Sequence, residues 1–518
     1  MYLPIHQPVA VSSGRAPTLK LWQSLIFLPL AFVLGPSQAR GDDSNTATGV
    51  QALESIGTGT SNTANGYQSL TDNTDGDHNT GVGANTLTSN INGNYNTAAG
   101  SHALFSNTTG GYNTATGMQA LDGNTVGSNN TAAGYVALTS NSDGGQNTAN
   151  GAYSLRSNTS GDRNSALGLG ALYSNTSGWD NTAAGSYALY GNTTGRHNTA
   201  YGAYALNDNS TGIYNTAQGS QALYSNTTGR YNTADGTNAL YRNTTGIYNT
   251  AEGAQALGNN TSGSYNTATG LNALYFNTSA HNNTAHGYQA LYNNKTGQNN
   301  IALGAGAGLN LTTGNNNIVI GNPGTAAQAN TIRIGTQGTQ LATFIAGIRG
   351  ATVPGGVSVF VDANGRLGTA TSSKRFKEQI NPMNEGSEAL LSLKPVTFRY
   401  NKEIDPDGIP QFGLVAEEVE KVNPDLVVHD EKGKVYTVRY EAVNAMLLNE
   451  FLKQHQEVQN QRRTIEDERR QNELRDQKAQ EQIAMLTAAV KEQASLLEKV
   501  TNQVEMRRPG GRIATNDR

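Results

Sequence analysis

The chain has 518 residues, enough for several domains, with 60 glycines, no cysteine and only 14% charged residues. Its net charge of −4 offers no concentrated basic field of the kind a nucleic-acid binder needs, and the lack of cysteine excludes disulfides and cysteine-ligated metals. The 8 histidines fall in no metal-ligand spacing such as HExxH, so no metal and no cofactor is expected.

At the N-terminus, Arg15 and Lys20 precede an apolar run from Leu21 to Gly35. Pro36-Ser37-Gln38-Ala39 follows, with small residues at the two positions that signal peptidase reads. Residues 1–39 therefore read as an export signal, which places the protein outside the cell, secreted or at its surface. The run falls short of the roughly 20 residues a spanning helix needs. An uncleaved membrane anchor is the alternative reading. No other segment has the apolar length to cross a bilayer as a helix, so no transmembrane helix is expected after signal removal.

From Asn45 to Asn317 an Asn opens an Asn-Thr-Ala-like triplet every 17 residues, without one insertion. The unit reads N-T-A-x-G-x-x-A-L-x-x-N-T-T-G-x-Y. Gly recurs at Gly49, Gly100 and Gly219, and Leu at Leu53, Leu104 and Leu189. So strict a period assigns each unit one equivalent slot in a stacked array. Seventeen residues are too few for two helices and their turns, and Gly, Asn and Thr disfavour helix interiors. Short strands joined by Asn and Gly turns fit better. Residues 45–321 are thus expected to form a β-solenoid or β-roll, a rod of roughly 80 Å at about 4.8 Å per rung.

Each rung offers one Leu, two Ala and sometimes a Tyr. That is little apolar area to set against ordering entropy. Three coils sharing a central seam would fare better, while a monomeric solenoid lined by Leu and Ala stays open. The Asn-x-Thr/Ser triplets, as at Asn107 and Asn192, read as turn chemistry and not as glycosylation sites. His281 and His286 read as solvent-facing. The variable position three after each Asn, as in Gln218, Asp235, Glu252 and His286, faces water or a surface ligand, protein or glycan.

The last units, NNIALGAGAG from Asn299 and NNIVIGNPG from Asn316, resemble the head repeats of trimeric autotransporter adhesins. That resemblance implies a trimeric left-handed β-roll. The unit here is longer than that family's, and the helical C-terminal stretch does not resemble its membrane barrel.

Residues 322–371 read as a β-rich neck. Ile332, Ile334, Phe344 and Ile345, with Val357, Val359 and Val361, suggest short strands, and Asp362 to Gly365 a turn.

Next comes Thr371-Ser372-Ser373-Lys374-Arg375-Phe376-Lys377. A Ser five residues before a Lys is by itself a weak signal, and a basic cluster is commonly a solvated face. The segments that follow are LLSLKPVTFRY (Leu390 to Tyr400), QFGLVAEEVEKVNPDLV (Gln411 to Val427) and VYTVRYEAVNAMLLNEFLKQHQEV (Val435 to Val458). With SSKRFK they closely resemble the peptidase S74 family, the intramolecular chaperone auto-processing domain of phage tailspikes, fibres and many bacterial surface proteins. The resemblance spans 372–458 and implies a domain that trimerises, templates the fibre ahead of it and cleaves itself off through a Ser–Lys dyad.

The family pattern is Ser-Asp-x-Arg-x-Lys. Carried over, Ser372 is the nucleophile, Lys377 the general base and Arg375 the matching Arg. Ser373 stands where Asp is common, which makes it a rival nucleophile and leaves a domain that only trimerises as the alternative. A Ser hydroxyl needs a base to take its proton, and a Lys serves once burial disfavours its ammonium. The cut lies beside Ser372. Attack on the preceding carbonyl, at Thr371–Ser372, closes a five-membered ring, which favours that bond. Glu417 and Glu418 fall in a stretch that reads as an amphipathic helix with Leu414, Val415, Val419 and Val422 inward; Glu417 is expected to border the cleavage site.

Residues 441–506 read as one long helix in a single heptad register. Its a positions include Leu448, Ile483, Val490, Leu497 and Val504, and its d positions Phe451, Val458, Ile465, Leu486 and Val500. Arg462, Arg469 and Asp476 at a and Asn472 at d weaken the middle. A coiled coil is favoured over a solvated single helix, and the tail 507–518 reads as disordered. The expected architecture is a mainly β repeat rod, assembled as a homotrimer, then a small α+β chaperone domain and a helical coiled coil. A polysaccharide-degrading spike is disfavoured, because no paired carboxylates recur at a fixed place in the repeats.

Overall fold

The structure, a computed structural model, describes residues 44–507 apart from Arg349, Ala363 and Glu431. The export signal and the tail 508–518 lie outside the described residues. Two compact units divide after Thr343.

The first unit is a β-solenoid. Three-residue strands run from Thr46–Thr48 to Ile332–Ile334, all parallel and hydrogen-bonded in one 18-stranded sheet. Identical repeat positions face each other, as in Thr97↔Thr114 and Ala98↔Ala115. From Thr63–Asn65 to Ile318–Ile320 the middle residue of each strand points inward, between two more exposed residues. The rod continues one rung past residue 321: Ile332–Ile334 pairs with Ile318–Ile320 after a step shortened to 14 residues, Ile318↔Ile332. Ile332 and Ile334, read from the sequence as neck, therefore cap the sheet.

The rest of each rung is laddered too. Between strands the backbone turns by left-handed residues, such as Gln119 (φ 60), Leu121 (φ 54) and Asn129 (φ 61). A left-handed residue with a Cβ costs about 1–2 kcal/mol. The return is that every turn meets the rung beside it, with the Gln119 amide donating to Ser101 O at 2.9 Å and the Leu121 amide to Ala137 O at 3.0 Å. Gly117, after the strand, has φ +129, and a Cβ there would come 2.5 Å from the carbonyl oxygen of Gly134 in the next rung. Close rung stacking thus requires glycine at that slot.

The core closes within one chain. The repeat Leu is fully buried from Leu70 to Leu291, and the inward Ala residues from Ala98 to Ala290 are buried with it. The remaining volume is filled by two asparagines per rung, also fully buried. In one ladder Asn124 Nδ2 donates to Asn107 Oδ1 at 2.8 Å and to Gly127 O at 2.9 Å. In the other, Asn113 Nδ2 donates to Asn96 Oδ1 at 3.1 Å and to the same Gly127 O at 2.9 Å, while Asn113 Oδ1 accepts the Asn130 amide at 2.9 Å. Sequence reading had counted these asparagines as turn residues and the core as thin. The Asn ladders supply what the apolar count lacked, so the rod's interior needs no neighbouring coil. Asn107 and Asn192 being buried also supports reading their Asn-x-Thr triplets as structural.

The second unit begins at Phe344. Val359–Val361 pairs antiparallel with Leu367–Thr369. The Asp362 carboxylate holds the turn between them by accepting the amides of Asn364 (3.0 Å) and Arg366 (2.9 Å). Phe344, Ile345 and Val357 lie outside strands, contrary to the expected alternation, because no partner strand is within reach in the described residues. A small core follows, with Val419, Leu426, Val427, Val438 and Met446 buried. It is built by helix α1 (Ala416–Val422), the hairpin Val427–His429 with Val435–Val438, and the start of helix α2 (Tyr440–Glu505). Val419 packs inward as expected, but Val415, just before α1, is exposed.

A 3₁₀ segment, Asn384–Ser392, docks on α2. The Ser387 hydroxyl donates to Glu450 Oε1, and Asn449 Nδ2 donates to Ser387 Oγ at 2.6 Å and to Asn384 O at 3.0 Å. Beyond Met446 nothing in α2 is buried.

Candidate cleavage site

Leu367–Thr369 delivers the chain to an extended stretch through Ser373, whose backbone (φ −64, ψ 140) precedes a single 3₁₀ turn, Lys374–Phe376. That turn closes with the Phe376 amide on Ser373 O at 3.0 Å and the Lys377 amide on Lys374 O at 3.1 Å. One turn brings residue 377 back beside residue 372. Lys377 Nζ donates to Ser372 Oγ at 3.1 Å, within the reach a nucleophile and its base require.

The other sequence candidates divide. The Ser373 hydroxyl makes no side-chain cap on the turn it precedes, and the hydrogen bond of Lys377 goes to Ser372 and not to Ser373. Arg375 lies over the Phe376 ring, its guanidinium carbon 4.6 Å from the centroid. This cation–π contact stiffens the turn that carries Lys377. Glu417 is exposed in the first turn of α1 and is not among the residues that line the cleft at the dyad. Those are Ser372, Lys374, Lys377, Gln379 and Ile380, around an open space of about 660 Å³. Gln379 and Ile380 were not singled out from sequence, since neither type carries an acid–base signal.

Ser372 and Lys377 are both exposed in the single chain. As an ammonium, Lys377 donates to the hydroxyl; as a base it must instead accept the hydroxyl proton. That reversal needs an enclosed amine, because water stabilises the charged form. Ser372 and Lys377 are therefore within hydrogen-bond reach of each other, and these residues alone do not enclose them.

Among the described residues no group of histidines and carboxylates is placed to hold a metal ion. His286 is exposed, and His281 Nδ1 accepts the Ser264 amide at 3.0 Å. Among the described residues no helix is long and apolar enough to cross a membrane.

Residues 372–428 match the Peptidase_S74 family, described as the chaperone of endosialidase. The match begins at Ser372, covers α1 and ends within the first strand of the hairpin. No curated protein and no solved structure matches the chain.

Proposed function

We propose that this chain is an exported, surface-associated fibre whose C-terminal domain assembles it as a trimer and then releases itself through Ser372 and Lys377. The rod with an S74 chaperone segment behind it has the composition of a tail-fibre-like protein. The observation that carries the reading is the 3.1 Å Lys377–Ser372 contact at the start of the family match. In the reaction, Lys377 as a neutral amine takes the Ser372 hydroxyl proton while Oγ bonds to the Thr371 carbonyl carbon. The Thr371–Ser372 C–N bond breaks, and its nitrogen receives the proton from Lys377. Water then hydrolyses the resulting ester, leaving a chain ending at Thr371 and a fragment beginning at Ser372.

Two features favour coupling the cut to assembly. The dyad is solvated in one chain, so neighbouring subunits would provide the enclosure that makes Lys377 a base. The second unit also leaves much apolar surface bare: Leu367, Phe412 and Tyr436 are exposed, as are the heptad residues Leu448, Phe451, Ile483, Leu486, Leu497 and Val500. A trimeric coiled coil of α2 would cover that last set.

The test is intact mass after purification. Ser372→Ala and Lys377→Ala should each leave one full-length species where the wild-type chain gives two. If both variants still release the fragment, the dyad assignment is wrong. A second reading is a fibre whose domain stays attached as a permanent trimerisation module. Ser373 at the family's usual Asp position favours it, and a wild-type chain that remains whole but trimeric would select it.

A further inference from the structure

The last residue of the repeat unit forms a column along the rod. It is Tyr on successive rungs at Tyr214, Tyr231, Tyr248 and Tyr265. Their rings lie one over the next, with centroids 5.1, 4.8 and 5.2 Å apart and planes within 13° of parallel. His197 continues the stack on the other side of Tyr214 at 4.6 Å. Tyr95 and Tyr112 repeat the arrangement nearer the start of the rod, at 5.0 Å and 11°. Neighbouring rings cover each other's faces, so the column offers its edges and hydroxyls to solvent. Tyr214, Tyr231, Tyr248 and Tyr265 are each 41–54% exposed, which gives a soluble oxidant access to them.

We infer that this column is a covalent cross-linking site, at which hydrogen peroxide, turned over by a peroxidase, joins tyrosines of successive rungs as dityrosine. The backbone holds the partners in place. The Tyr231 amide donates to Ile213 O at 3.1 Å, the Tyr248 amide to Arg230 O at 3.1 Å and the Tyr265 amide to Ile247 O at 3.0 Å. Each tyrosine is thus tied beside the rung before it, and reacting rings fixed side by side need no diffusive encounter. In the reaction each of two neighbouring rings loses one electron to the oxidant and its phenolic proton to water. The two radicals pair through ring carbons ortho to oxygen, forming one C–C bond. Each ortho hydrogen then leaves as a proton, and a proton returns to each oxygen, restoring both phenols. Hydrogen peroxide accepts the two electrons and two protons and becomes two waters. Each bridge spans a 17-residue step, and a cross-link across such a loop restricts the unfolded chain. Disulfides cannot play this part, because the chain has no cysteine. The site needs only the rod and is independent of cleavage and assembly.

Treating the purified full-length chain with a peroxidase and hydrogen peroxide tests this, read by dityrosine fluorescence and by mass spectrometry of tryptic peptides. Bridges form within one chain and join tyrosines 17 residues apart. The tryptic peptide 231–242 is then found linked to 197–230 or to 243–295, with the bond on Tyr231. Tyr201 and Tyr288 are similarly exposed but stack on no other tyrosine among the described residues, and they stay unbridged. Tyr231→Phe and Tyr248→Phe keep the stacked rings without their phenols. Together they leave Tyr214 and Tyr265 with no adjacent phenol and abolish every bridge among the four, while the Tyr95–Tyr112 bridge persists. Should that double variant lose the rod's circular dichroism spectrum, the wild-type peptide map decides by itself. No dityrosine in the wild-type chain, bridges at Tyr201 or Tyr288 as often as in the column, or bridges only between chains would each overturn the site.

Discussion

The two units solve the problem of burial in opposite ways. In the rod, every repeat Leu from Leu70 to Leu291 is fully buried inside its own coil. In the second unit, Leu497, Leu448 and Phe451 of α2 stand in solvent, more than half exposed. The same apolar residue types are thus covered by the neighbouring rung in one region and left in solvent in the other. A 17-residue period guarantees each rung two identical neighbours, so the rod supplies its own partners. A single 66-residue helix has none. The rod's core closes within one chain, and the bare apolar residues of α2 are where the proposed trimer would bury surface.

That contrast can be broken most severely at α2. Replacing Ile483 and Leu497 together by Asp should lower the solution mass about threefold, from trimer to monomer, while the rod's circular dichroism stays the same. Loss of the rod signal in that variant would mean that the rod depends on the trimer after all. In the rod, Leu206→Ala removes a fully buried side chain and should cost the local rungs about 2–5 kcal/mol, read as faster hydrogen exchange around Leu189 and Leu223. Leu497→Ala should leave that exchange unchanged.

A smaller loss is expected from Asn226→Ala. It strips a donor from Asn209 Oδ1 (2.7 Å) and from Gly229 O (3.0 Å), and leaves Asn243 Nδ2 without its Asn226 acceptor. Each buried group left unsatisfied costs about 1–3 kcal/mol, though Gly229 O keeps the Asn215 donor at 2.9 Å.

The smallest effect concerns the docking of α2 on Asn384–Ser392. Hydrogen bonds from Lys453 and then Ser387 hold the Glu450 carboxyl below its ordinary range, and the Glu450 partner raises Lys453. A depressed carboxyl stabilises above its unfolded pKa and loses that contribution as pH falls through the folded value. The raised Lys453 loses its contribution only at strongly alkaline pH, rising through its folded value. Hydrogen exchange near Asn449 should therefore quicken in acid, below the usual carboxylate range, and Glu450→Gln should flatten that dependence.

Much of this was legible in the sequence for one reason: repetition. The 17-residue step fixed strand, register and the inward Ala and Leu, and helix propensity with the heptads placed α2 within a residue of its observed Tyr440–Glu505. The Asn ladders were not read, because asparagine is a turn residue by propensity and becomes a core residue only when identical copies stack. Their invariance from Asn73 to Asn294, beside variable neighbours, was the available signal. The neck was legible only in part: Val359–Val361 and its turn formed as expected, but Phe344, Ile345 and Val357 did not join strands. Apolar alternation around Phe344 and Ile345 has no repeat to pair with, so pattern alone did not make strands. At the candidate cleavage site the serine and lysine were named by family likeness. Their approach depends on one 3₁₀ turn, Lys374–Phe376, that no periodicity reveals.

The central claim couples a solvated dyad to assembly. Its most direct test is intact mass with light-scattering mass on the wild-type and Lys377→Ala full-length chains. The account predicts that Lys377→Ala is one uncut species of trimeric mass, and that the wild-type chain is cut between Thr371 and Ser372. A monomeric Lys377→Ala chain, or one still cut at that bond, would contradict it.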